Sequence, residues 1–356
     1  VMSLTRPIAL GIETSCDDTA CAVVDGDGRV LSSVISSQLE AHRPFGGVVP
    51  EIASREHLRN WPAVCETALQ EAGLELGGID VVAATKGPGL IGSLLVGLSL
   101  GKAIAYAQGN RFHAVHHLEG HLFSPFLRAA GEKAERPPED FIGLVVSGGH
   151  TSLFEVKGDE ITTLAETRDD AMGEVFDKVG KRLGLPYPQG PLVDELAENG
   201  DGERSPLSIA RCSDGSLDFS YSGLKSQTLV EIQKLESAGV ETHLGETAAT
   251  DVPSPVLNLL AGFRKAAVGQ LVDRLERLRR ERPVRQLAVS GGVAANRLLR
   301  PTLEAWSREN EVNLRLVSLL YSGDNAAMIA HAALLRDERG LVDDPLEVDA
   351  ASRIPL

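Results

Sequence analysis

The chain has 356 residues and a formal net charge of −15, long enough for two lobes with separate cores and of the wrong sign for bulk attraction to nucleic acid or an anionic membrane. Cys16, Cys21, Cys65 and Cys212 show no Cys-x-x-Cys spacing, which argues against a disulfide framework and reads as thiols in a reducing cytoplasm. Val1 to Pro7 is short and polar, unlike a secretory leader, and the most apolar window, 90–107, carries Ser93, Ser99 and Lys102, so it reads as a buried helix rather than a membrane span.

Apolar runs at 8–13, 20–25 and 30–37, broken by a polar turn and by Gly26-Asp27-Gly28, predict a three-stranded antiparallel meander. A helix is expected over 54–72, closed by Gly73, with Leu58, Trp61, Val64, Cys65 and Leu69 as either a core face or a partner contact. A buried strand at 79–84 then leads through Gly87-Pro88-Gly89 into a long helix from Leu90. The pattern starts again at 141–147, 151–156 and 161–166, a second meander turning at Gly148-Gly149 and Lys157-Gly158-Asp159. A long helix follows Ser254-Pro255, read as its cap and first turn, with Leu260, Phe263, Ala267, Leu271, Leu275 and Leu278 at helical spacing. A strand at 287–290 leads through Gly291-Gly292 into a helix expected to carry Asn296. This internal duplication predicts an α/β fold of two like lobes, 7–130 and 140–323. An irregular insertion is expected near 185–252, and a helix over 324–336 is expected to pack back on the first lobe. Two such lobes predict a cleft faced by glycine turns from both.

Within Val115-His116-His117-Leu118-Glu119-Gly120-His121, His117 and His121 fall on one helical face, where two imidazoles can meet one ion. Tyr321-Ser322-Gly323-Asp324-Asn325 offers a carboxylate, and two His with one carboxylate suit iron or zinc before magnesium. Glu119 stands roughly 200° round the helix from His117, misplaced for the base of a His-Glu-x-x-His peptidase. Ser147-Gly148-Gly149-His150-Thr151 and Ser290-Gly291-Gly292-Val293-Ala294-Ala295-Asn296 both put glycines where backbone N–H groups can reach an oxyanion, which predicts a nucleotide or acyl phosphate. Asp169-Asp170 reads as the start of a helix on which Gly173, Asp177, Gly180 and Gly184 share a face. Helical glycine costs about 1 kcal/mol against alanine, so that face serves close packing or a ligand gripped by Asp177; the ligand is the expectation. Asp17 and Asp18 sit in the first hairpin turn, equivalent to the 147–151 turn, where a general base or an orienting group would be placed. Arg274, Arg277, Arg279, Arg280, Arg282 and Arg285 are expected as solvated cations at a helix C-terminus.

Gly11-Ile12-Glu13-Thr14-Ser15-Cys16-Asp17-Asp18-Thr19, the His117 and His121 motif, Val146-Ser147-Gly148-Gly149-His150-Thr151, Gly173-Glu174-Val175-Phe176-Asp177-Lys178 and Ser290-Gly291-Gly292-Val293-Ala294-Ala295-Asn296-Arg297 together resemble the tRNA threonylcarbamoyladenosine transferase family. That family was formerly called O-sialoglycoprotein endopeptidases. The resemblance covers nearly the whole chain, and Thr14-Ser15-Cys16 is similar to the bacterial branch. It implies the duplicated actin-like fold of sugar kinases and Hsp70 ATPases. It implies one divalent metal, Fe2+ ahead of Zn2+, on His117, His121 and Asp324. It implies that Val145, Val146, Ser147, Gly148, Gly149, Asp177, Gly190, Asp194 and Asn296 bind threonylcarbamoyl-AMP. The acyl group would pass to N6 of adenosine 37 in tRNAs reading codons that begin with A, AMP would leave, and Asp17 or Asp18 would take the amine proton. Implied partners are an inactive paralogous subunit and a small ATPase subunit, in the cytoplasm and away from membranes. Gln189 stands where the family commonly has a second glycine before Gly190, and Ser322-Gly323 where it has Cys-Thr. A metallopeptidase and an ATP-binding scaffold without transfer chemistry are the alternative readings.

Overall fold

The computed structural model describes residues 6–133, 135–212, 214–245 and 249–356; most of the opening stretch judged unlike a leader lies outside them. The chain divides into two compact units, the described residues up to Pro138 together with Val317–Leu356, and Glu139–Leu316. In the first, β1 (Ile8–Glu13), β2 (Asp18–Asp25) and β3 (Arg29–Ser37) form the expected antiparallel meander. The short α1 (Leu39–His42) precedes α2 (Pro50–Ala72), which starts at a proline with no N–H to leave unpaired and ends at Gly73 with φ 67. β4 (Val81–Gly87) runs parallel to β1, α3 (Ile91–Gln108) crosses back, and β5 (Arg111–His116) lies parallel to β4. α4 (His117–Phe123) and the two-residue β6 (Arg128–Ala129) complete a sheet of order β5-β4-β1-β2-β3-β6.

The second unit repeats this plan. β7 (Asp140–Val146), β8 (Thr151–Lys157) and β9 (Glu160–Glu166) are its meander, followed by α5 (Met172–Arg182), α6 (Gln189–Ala197), α7 (Ser222–Ser237) and α8 (Ser254–Glu281). β10 (Gln286–Ser290), α9 (Leu299–Glu309) and β11 (Asn313–Leu316) close the order β11-β10-β7-β8-β9. The same five-strand order thus occurs twice, with parallel strands added beside the first strand of each meander. The chain then returns to the first unit as α10 (Ala326–Glu338), which packs on β1 and β2. Gly11 permits that approach, since a Cβ there would collide with the Ala326 carbonyl. With helices against it, β1 buries five of its six residues and reads as a continuous apolar run rather than an alternating one.

Several local expectations change. The 185–252 stretch is not irregular, because α6 and α7 lie within it. α5 begins at Met172, not at Asp169, and Gly184 lies beyond its end at φ 74. Asn296 precedes α9, its Oδ1 accepting from the Leu298 and Leu299 N–H groups at 3.0 and 2.9 Å where the helix begins. Pro253, not Ser254, is the residue before α8. α3 is long and apolar enough to cross a membrane by composition alone, but Ser93, Leu94, Gly97, Leu98, Gly101 and Ala105 form a buried face, leaving Ile91 and Leu95 half exposed. On α2, Trp61, Val64 and Cys65 belong to the core while Leu58 is exposed.

Candidate functional site

The first unit assembles three metal-ligating groups. β5 ends at His116, so α4 opens with His117, and one turn later His121 stands beside it with ring centroids 4.7 Å apart. Asp324 arrives from the turn before α10: its Oδ1 lies 3.0 Å from His121 Nε2 and 3.6 Å from His117 Nε2. One ligand atom from each lies within 4.8 Å of the others, and two imidazole nitrogens with a carboxylate suit a divalent transition metal. His117 Nδ1 faces Glu13 Oε2 at 3.0 Å, and the Glu13 carboxylate also accepts from the Ser15 N–H and, at 2.6 Å, the Thr85 hydroxyl. That carboxylate behind the ring fixes its tautomer and turns Nε2 toward Asp324. Burial alone would lower the His117 pKa, but Asp324 and Glu13 outweigh it and lift the ring to about 9. Burial would raise Glu13, yet the charge and hydrogen bond of His117 hold it below the usual range. Glu119 instead faces Arg336 at 3.4 Å, so it is engaged elsewhere and is not the base of a His-Glu-x-x-His peptidase.

The Asp17 and Asp18 turn belongs to the same unit. Burial lifts Asp18, a hydrogen bond from Ser37 opposes this, and the charges of Asp17, Asp324 and Glu13 add to the rise, to about 6. Asp18 thus shares its electrostatic surroundings with the metal set. His57 on α2, which the sequence reading passed over, pins this turn. Its Nε2 lies 3.0 Å from the Cys16 carbonyl, so it donates there, and its Nδ1 lies 2.8 Å from Thr19 Oγ1 and 3.2 Å from Gln38 Nε2. The available signal was position, since His57 stands four residues from both Ala53 and Trp61 on the buried face of α2.

The second unit holds a cavity of about 370 Å³ lined by the β7–β8 turn, α5, the start of α6 and the turn after β10. Gly148, Asp177, Gly190, Asp194 and Asn296 reach it, with Phe176, Pro188, Pro191 and Val293 as apolar walls. Val145, Val146, Ser147 and Gly149 are not on its lining; the two valines are fully buried within β7. Asp177 Oδ1 accepts the Gly190 N–H at 2.7 Å, and burial raises its pKa against that bond and one from Gln189. Asp194 is enclosed: Oδ1 accepts from Asn296 Nδ2 at 2.6 Å and Arg264 Nη1 at 3.1 Å, and Oδ2 from the Arg297 N–H at 3.0 Å. The helical glycines serve packing. A Cβ at Gly173 would strike the backbone of Ser147 and Gly148, and one at Gly180 would strike Gln189, whose side chain occupies that space.

The arginines are largely committed. Arg274 is fully buried and donates at 3.0 Å to both the Asp218 and the Ala210 carbonyls; Arg277 donates at 3.0 Å to the Ser216 carbonyl, and Arg282 pairs with Glu155 at 3.0 Å. Arg274 and Arg277 staple the 205–220 stretch onto α8 rather than facing solvent.

Residues 29–331 match the family tRNA N6-adenosine threonylcarbamoyltransferase. The protein of that name from Pelobacter propionicus is 47% identical over 327 residues, 91% of this chain and 90% of its own. That from Syntrophus aciditrophicus is 45% identical over 352 residues, 98% of each chain. Among solved structures, HypF of T. kodakarensis aligns with a TM-score of 0.59 at 15% identity, over 94% of this chain and 48% of its own. Component A of the Acidaminococcus fermentans (R)-2-hydroxyglutaryl-CoA dehydratase gives 0.51 at 14%, over 94% and 98%. These two distant likenesses speak for the fold alone, and agree with the duplicated actin-like α/β architecture. At the level of sequence, the chain belongs to the tRNA N6-adenosine threonylcarbamoyltransferase family and is a transferase.

Proposed function

We propose that this transferase moves the threonylcarbamoyl group of threonylcarbamoyl-AMP to N6 of adenosine 37 in tRNAs reading codons that begin with A, releasing AMP. The observation that carries this reading is the convergence of Gly148, Asp177, Gly190 and Asn296 on one cavity of the second unit, whose size and apolar walls suit a small acyl-adenylate. An exocyclic adenine amine is a weak nucleophile, so the rate must come from positioning and from the activated anhydride. Asp17 or Asp18 accepts the amine proton as the new N–C bond forms. His117, His121 and Asp324 would hold one divalent cation, Fe2+ or Zn2+, which when bound supplies Lewis-acid polarisation of the acyl group. An inactive paralogous subunit and a small ATPase subunit are the proposed partners, in the cytoplasm.

The test is mass spectrometry of nucleosides from tRNA incubated with the chain, its partners and threonylcarbamoyl-AMP. Threonylcarbamoyladenosine at position 37 is expected, and its absence with an intact donor overturns the reading. Purified protein should carry about one iron or zinc per chain, and His117→Ala with His121→Ala should remove it. Unchanged metal content in that double variant would rule out this site.

A further inference from the structure

The segment that follows α10 reaches the two-histidine helix by three separate routes. The first is His116, the residue before α4. Its Nδ1 accepts the Leu118 N–H at 3.1 Å, capping the helix, so its Nε2 carries the proton and donates to the Ile354 carbonyl at 3.1 Å. The second runs through the β4–α3 turn. Ala351 N–H donates to the Lys86 carbonyl at 2.9 Å, and Gly89 N–H to the Ser352 carbonyl at 3.3 Å. Next to Gly89, Leu90 N–H donates to the Ser15 carbonyl at 2.8 Å, and Ser15 Oγ stands 3.3 Å from His117 Nδ1. The third is Asp343, whose Oδ2 accepts from the Ala114 N–H in β5 at 2.9 Å and from Arg336 at 3.2 Å, while Arg336 also reaches Glu119 on α4. The close fit at the turn is built in, since a Cβ on Gly87 would collide with the Ala351 carbonyl.

We propose that residues 343–354 form a strap that positions His117 and His121 for their cation, with His116 as the coupling residue. None of these groups is among the three ligand side chains; each fixes α4 itself or an element that leads into it or packs beside it. An imidazole that caps α4 with one nitrogen and anchors on the strap with the other sets the azimuth of the helix, and hence where both Nε2 atoms point. Groups that orient ligands in this way are typically worth roughly ten- to a hundredfold in metal affinity. Binding linkage is reciprocal, so a cation held better because of the strap must in turn hold the strap more firmly.

The inference rests on the metal reading above, and the experiment separates the two. Zn2+ is titrated against the full chain, against a chain ending at Asp349, against His116→Phe, and against His117→Ala with His121→Ala. Loss of binding in the double variant, with ten- to hundredfold weaker binding in the shortened chain and in His116→Phe, is the expected result. Amide exchange of the unaltered chain is followed with and without Zn2+, and slower exchange at Gly89, Leu118 and Ala351 is expected. That measurement stands even where a variant fails to fold. Wild-type affinity in either strap variant overturns the proposal, and so does exchange at those amides that ignores Zn2+. Zn2+ binding retained by the double variant removes the metal site itself, and the strap's role with it.

Discussion

Asp177 and Asp194 line one cavity, yet their neighbours give them different work. Asp177 offers an oxygen to the Gly190 N–H at the start of α6, a bond that Asn can keep and Ala cannot. Asp177→Asn should therefore melt near wild type while its use of the acyl donor falls roughly ten- to a hundredfold, through loss of a charge-assisted bond of about 1.5–3 kcal/mol. Asp177→Ala should also cost about 1 kcal/mol of stability, as lost helix caps do. Full transfer activity in the Asn variant at low donor concentration would leave Asp177 with a structural role only. Asp194 is bonded to a buried Arg264 guanidinium, and stripping one partner from a buried pair costs about 3–5 kcal/mol. Asp194→Ala should lower the denaturation midpoint markedly, and a midpoint within error of wild type would contradict the buried-pair account. His117, His121 and Asp324 were legible because ligand chemistry and helical spacing are both written in sequence. Val145, Val146, Ser147 and Gly149 stand off the cavity lining because their motif spans a strand and a turn, and within it Gly148 alone is on that lining. The burial of Asp194 among Arg264 and Asn296 was invisible, since contacts 70 and 102 residues away leave no local pattern.

At the scale of the element, α10 carries an imidazole with no hydrogen-bond partner among the described residues on either nitrogen. His331 is packed beneath Gly28, and burial, with Arg128 adding and Asp25 opposing, pushes its pKa from 6.5 to about 4. Its folded pKa lies below the unfolded value, so its contribution to stability is complete above about 6.5 and drains away as pH falls toward about 4. The shift corresponds to about 3 kcal/mol between those limits. His331→Leu should remove that acid-side loss and raise stability at neutral pH, because two orphaned nitrogens leave the core. Denaturant melts from pH 7 to 4 check this, and parallel pH profiles for the two proteins would sink it. The Asp169-Asp170 pair shows why element boundaries escaped. Acidic residues before a helix suggest a cap, but Asp169 accepts from the Tyr221 and Ser222 N–H groups at the start of α7, and Asp170 pairs with Lys178 and Lys225. Sequence identifies a capping residue type without saying which helix it caps. The short β5 and β11 were missed because His113 and His116, and Asn313 with Arg315, interrupt the apolar runs that betray the other strands.

Across the whole molecule, the duplication was readable because each meander and glycine turn recurs in order, and a returning helix over 324–336 was expected, whereas the return of 317–323 and of the segment after α10 rests on long-range contacts. The proposed metal groups lie in one unit and the cavity in the other. Ligands should therefore stabilise different regions, each by about 2.7 kcal/mol at a concentration of 100 Kd. Zn2+ should protect amides of α4 and α10, and AMP those of α6 and the turn after β10, as read by hydrogen exchange. Protection by AMP confined to α4 and α10 would contradict the cavity assignment. Finally, Asp324 follows His121 by 203 positions, with the whole of Glu139–Leu316 between them. A ribosome must therefore make and release the entire second unit before the first can acquire α10, cover β1 or close its metal groups. The second unit is complete first although it begins later, and the nascent first unit waits without the α10 cover over one face of β1 and β2. Stalled chains ending at Leu316 should yield a protease-resistant second unit beside a digestible first one; equal resistance of both would show that β1 finds another cover during synthesis.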